Sequence, residues 1–212
     1  MHDRYREVRG CYYDAYDVPE LDPLRREIAS ALVFGLFQAA IALTNHFLEA
    51  TLKYGLIYQY AIENRQPPTS TEPTSALIES LEPAKKLYAG LETNDLINRA
   101  CSRGLITKPQ KKHLHRMVIR LRHAYAHADK DKLFGDSTIP VTAVHLDGDR
   151  IVVDSQTDAR VADFLIAHGP LQLAHAKANA LPYFLLVDDL TRQIVRKLYP
   201  NLSHEEPEDL TD

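Results

Sequence analysis

From Leu24 to about Asn64, apolar side chains at Ile28, Leu32, Phe34, Leu36, Ala39, Ala40, Leu43, Phe47, Leu48 and Leu52 cover more than half of a helical circumference. That pattern predicts one long buried helix, contacted on several sides. Asp22-Pro23 supplies its start, a carboxylate for orphan amides followed by a first-turn proline. RQPPTSTEP, residues 65 to 73, ends it in a loop. A second helix, capped by Thr74 or Ser75, is expected to run to about Tyr88, with Pro83 breaking or kinking it. A short helix follows, capped by Thr93 and closed by Gly104 in a left-handed position. Thr107 then caps a further helix with Pro109 in its first turn.

After Gly135 the period changes from helical to alternating. IPVTAVHL, residues 139 to 146, and RIVVD, residues 150 to 154, flank an Asp147-Gly148 turn signal, which predicts a β-hairpin. Ala159 to Ala167 reads as a short helix stopped by Gly169-Pro170. Leu171 to Tyr199 reads as a helical region bent or broken at Pro182, with Phe184, Leu185, Val187, Leu190, Ile194, Val195 and Leu198 as its apolar face. The expected fold is mainly α, a helical bundle with a small β-hairpin insertion at about 138 to 155. The helical domain spans residues 22 to 200, an N-terminal arm 1 to 21 and an acidic tail 201 to 212.

The chemistry concentrates in KKHLHRMVIRLRHAYAHAD, Lys111 to Asp129. At about 100° per residue, His113, Arg116, Arg120, His123 and His127 fall within a stripe roughly 80° wide. Leu114, Met117, Val118, Leu121, Ala124, Tyr125 and Ala128 form a neighbouring packing face.

Arg122-His123-Ala124-Tyr125-Ala126-His127, an arginine, a polar residue, three further positions and a histidine, resembles the signature motif of the HEPN superfamily. The run LINRACSRGLITKPQKKHLHRMVIRLRHAYAH is similar to the approach to that motif. The resemblance implies an all-helical, dimeric domain acting as a metal-independent ribonuclease, in toxin–antitoxin or antiphage systems. It implies Arg122 on the scissile phosphate, His127 as acid or base, His123 as the polar position, and a composite site across a homodimer interface. Polar residues of the long helix, Asn45 and Glu49, are then expected to orient His127 or Arg122. One branch of the superfamily, paired with nucleotidyltransferase antitoxins, carries a tyrosine two residues after the motif histidine. Here that position is Asp129.

Histidine suits proton transfer because its ordinary pKa lies near 6.5, and arginine suits phosphate because its planar fork grips two oxygens. On an ideal helix Arg122 stands about 140° from His127, whereas Arg120 lies beneath it. Either residue is a candidate phosphate ligand, with Arg116 and His113 extending the basic surface. A metal held by His123 and His127 lacks an assured third ligand, so no metal and no cofactor is expected. No phosphate loop, nucleophile elbow or dinucleotide fingerprint occurs. The alternative function is a non-catalytic dimeric module that binds RNA, a nucleotide or a protein partner such as an antitoxin or effector.

A net charge of −4 over 212 residues means that any RNA affinity must be local. The two cysteines, Cys11 and Cys101, form no framework. The charged amino terminus lacks a signal segment and the longest apolar run, Ala31 to Leu43, is too short to span a bilayer. A cytoplasmic protein without membrane contact is expected.

Overall fold

The computed structural model describes residues 2–64, 72–123, 125, 135–147, 150–160 and 168–200. The chain is mainly helical: α1 (His2–Val8), α2 (Gly10–Tyr13), α3 (Asp22–Phe34), α4 (Phe37–Glu63), α5 (Pro73–Tyr88), α6 (Thr93–Ser102), α7 (Lys108–Met117), a π-helical turn (Val118–His123), β1 (Thr138–Asp147), β2 (Arg150–Arg160) and α8 (His168–Leu198). No described helix is long and apolar enough to cross a membrane.

The long helix expected from Leu24 to Asn64 is two helices. Gly35 adopts φ 78°, a left-handed conformation that costs glycine little. Its amide bonds the Leu32 carbonyl and the Leu36 amide bonds the Ala31 carbonyl, closing α3 with the two reversed bonds of a Schellman motif. Gly104, at φ 71°, ends α6 in the same way through Cys101 and Ala100. Caps also differ from expectation at two starts. Glu72, rather than Thr74 or Ser75, caps α5 by accepting from both of their amides, and Glu92 precedes α6, leaving the Thr93 hydroxyl for other work. At Thr107 a full capping box forms with Gln110. Pro83 and Pro182 both lie inside continuous helices. Each removes one backbone donor, and tertiary packing of the flanking turns holds the helix through the gap.

β1 and β2 pair antiparallel from Thr138↔Arg160 to Asp147↔Arg150, with an irregularity between Thr142 and Val144. The ladder extends past Asp154 into SQTDAR, because a backbone ladder needs partner amides and carbonyls rather than apolar alternation. Ala159 and Arg160 are therefore strand, not helix; residues 161–167, Gly148, the 65–71 loop and the 201–212 tail lie outside the described residues.

The bundle is built around α4, which packs chiefly along α8 and also against α3, α5 and α6. Phe47 and Phe184 meet at 6.4 Å between ring centroids, and the Thr51 and Thr191 hydroxyls hydrogen-bond at 2.9 Å across the same seam. Residues 2–20 belong to this body: Val8, Cys11, Tyr16 and Val18 are buried. Gly55 sets the approach of α4 to α8, since a Cβ there would stand 2.9 Å from Ile194 Cγ2 and 3.2 Å from Leu105 Cδ1. Ile194 is β-branched and cannot swing aside. Overpacking costs about 1–3 kcal/mol and improved helix propensity returns at most ~1. Gly55→Ala should therefore destabilise by about 1–2 kcal/mol, read as a lowered denaturation midpoint; an unchanged midpoint would show that the seam yields.

Candidate functional site

Val118 and Leu121 are fully buried, and between them the motif helix leaves α geometry for a π turn. Bonds from i to i+5 widen the turn, so residues advance less than in an α-helix, and such turns recur at functional sites. The constant advance per residue that places His113 to His127 in one stripe does not hold through this turn. His113, on α7, lines a groove of about 250 Å³ shared with Leu186, Asp189 and Leu190 of α8. Arg116 and Arg120 are exposed. His123 occupies the last position of the π turn, its side chain outside the described residues, as are all of His127 and Asp129.

Arg122 points inward. Its guanidinium donates to the Thr93 hydroxyl and lies 3.6 Å from Glu49 Oε2. Glu49 also accepts from Lys53 at 2.9 Å and from the Thr93 hydroxyl at 3.1 Å. Burial alone would raise the Glu49 carboxyl; the Lys53, Thr93 and Arg122 contacts outweigh it and hold the group below the usual carboxylate range. One turn earlier on α4, Asn45 Oδ1 accepts from the Tyr183 hydroxyl at 2.9 Å. Burial raises that phenol, while the Arg122 charge opposes the shift. Side chains from α4, α6, the π turn and α8 thus form one polar seam, with Arg122 as its central cation.

On the outer side of the π turn a second group assembles. The Tyr125 hydroxyl donates to the Gln172 carbonyl at 3.2 Å or engages His175 Nδ1 at 2.9 Å, and the two rings stack at 6.0 Å. Burial lowers the His175 pKa and the Arg120 charge lowers it further. Both effects favour the neutral imidazole, the form in which one ring nitrogen can accept a proton. Burial pushes the Tyr125 phenol up to about 12. His115 is held between the Asn94 and Asn98 side-chain oxygens of α6 at 3.1 and 3.2 Å, away from both groups.

The chain has no match among protein-family models, curated proteins or solved structures.

Of the residues singled out from sequence, the fold joins Arg122 to Glu49 and sets Asn45 one turn away. Arg120, Arg116 and His113 are exposed. Thr93, Lys53 and Tyr183 carry no motif signal, and His175 lies 50 residues from Tyr125 along the chain. Only tertiary packing reveals them. Among the described residues no group of three or more His, Cys, Asp or Glu side chains is close enough to hold a metal ion.

Proposed function

We propose that this chain is a HEPN-like dimer acting on RNA, and that it cleaves RNA without a metal. A base removes the 2′-hydroxyl proton, the 2′-oxygen attacks phosphorus, and the bond to the 5′-oxygen breaks as an acid protonates it. The products are a 2′,3′-cyclic phosphate and a 5′-hydroxyl. His127 supplies acid or base chemistry, with His123 beside it, and two copies meet to complete the site. A toxin–antitoxin or antiphage role in the cytoplasm follows from the same reading. The observation that supports it most directly is the anchoring of Arg122 by Glu49 and Thr93 at a π turn, with the Arg120 guanidinium left exposed where its charge helps to lower the pKa of His175.

That anchoring divides the two arginines. Arg122 already faces a carboxylate, so its role is to position the turn, and Arg120 is the better phosphate ligand. The same neutralisation of Arg122 favours a second reading, a non-catalytic module that binds RNA through the exposed cations.

Purified protein incubated with mixed RNA in EDTA separates these readings. We expect wild-type cleavage, its loss in His127→Ala, a fall of about 10²–10³-fold in Arg120→Ala with unchanged melting temperature, and a lowered melting temperature in Arg122→Ala. Intact RNA that binds with a salt-dependent slope reduced by Arg120→Ala identifies the binding module. Neither cleavage nor binding would overturn both.

A further inference from the structure

Away from the motif turn, α4 and the segments on either side of the bundle enclose a cleft of about 250 Å³ lined by Tyr54, Tyr58, Tyr199, Asp17 and Glu20, with Tyr16 at its back. Tyr54 and Tyr58 follow one another by a turn on α4, their ring centroids 4.4 Å apart. Tyr199, just past the end of α8, stands edge-on to Tyr58 at 6.3 Å with 66° between the ring planes. Two aromatic walls therefore meet at a steep angle, with two carboxylates on the loop that closes the third side.

The charge around this cleft has one sign. The Glu20 carboxylate acts on Tyr54, Tyr58 and Tyr199 alike. Among the described residues neither Asp17 nor Glu20 has an ion-pair partner. The Arg25 and Arg192 guanidiniums lie over the Tyr16 ring but are matched by Asp188 and Asp14. The cleft is thus an aromatic, acidic hollow without a counter-ion of its own.

We propose that this cleft binds the alkylammonium group of an organic cation. Aromatic faces attract a cation through the ring quadrupole, most strongly one that sheds its water easily. A hard divalent metal needs six or more oxygen ligands and finds few here. A planar guanidinium prefers one flat stacking face, whereas walls at 66° embrace a rounded, tetrahedral group. The cavity accommodates such a head with a short tether leading to solvent. This inference stands independently of the RNA reading, and either can fail alone.

Titration of the full chain with tetramethylammonium chloride, followed by tyrosine NMR signals at constant ionic strength, tests it. Saturable binding with a Kd on the order of millimolar is expected for a group held by two ring faces and a carboxylate. Tyr58→Leu should weaken it at least tenfold and Glu20→Gln several-fold, while Tyr58→Phe retains it. Tighter binding of choline than of a trimethyllysine peptide would assign the site to a small molecule, and the reverse order to a modified protein tail. Equal binding of neutral tert-butanol, no saturation, or full affinity in the exposed-site variant Glu20→Gln together with Tyr58→Leu would overturn the proposal.

Discussion

Replacing Asp188 with alanine should destabilise the fold by about 3–5 kcal/mol, the cost of leaving a buried cation without its partner. Arg25 is 1% exposed, and its Nε donates to Asp188 Oδ1 at 2.6 Å. The Tyr16 hydroxyl donates to the same carboxylate, and Arg192 Nε reaches its other oxygen at 3.3 Å. Arg25 also donates to the Asp14 carbonyl, and its guanidinium lies 4.4 Å from the Tyr16 ring centroid. One carboxylate on α8 thereby ties down α3 and the segment between α2 and α3. Equilibrium unfolding in urea measures the loss. The double variant Arg25→Met, Asp188→Leu should recover much of it, because an apolar pair of similar volume removes the desolvation cost along with the attraction. A double variant no more stable than Asp188→Ala would show that the network's value lies in its hydrogen bonds to Tyr16 and Asp14 rather than in charge pairing.

Alkali should unfold the protein cooperatively at about pH 11. Burial and then the Asp188 charge raise the Tyr16 phenol, burial and then Tyr199 raise Tyr54, and burial raises Tyr183. Burial also pushes the Cys11 thiol up to about 11. All four stay protonated in the fold at a pH where the unfolded side chains ionise, near 10 for tyrosine and lower for cysteine. Their stabilisation is complete below those unfolded values and is lost as pH rises toward the folded ones. Each group gives up about 1.4 kcal/mol per pH unit, so the four together remove on the order of 5 kcal/mol per unit, comparable with the whole stability of a typical domain. Tyrosinate absorbance of the buried phenols and far-ultraviolet circular dichroism should change together in one step. Complete tyrosine ionisation with helix content intact would contradict the prediction.

The predominance of helix was legible in the chain because apolar residues recur at helical spacing and because capping chemistry is local. Thr107, Pro109 and Gln110 act within one turn, and Gly104 needs only its own missing Cβ to close α6. Gly35 carried the same local signal, yet the continuous apolar pattern across it hid the break between α3 and α4. A period reports which face is buried and is blind to a reversal that keeps burial on both sides.

The site was legible only as a set of residue types. Basic and imidazole side chains between Lys111 and Asp129, with Asn45 and Glu49 on a buried helix, are visible in the sequence without any fold. Which of them meet is not, because helical-wheel angles assume a constant advance per residue, and burial of both Val118 and Leu121 is met here by a π turn that breaks that assumption. Local chemistry thus made the helical character of the chain, and ends such as those at Thr107 and Gly104, legible from sequence alone. Long-range packing decided that Arg122 is committed to Glu49 and Thr93, that Tyr125 meets His175, and that Asp188 closes on Arg25 from 163 residues away. Those pairings depend on how α4 and α8 stack, a property of many apolar contacts together that no short window of residues encodes.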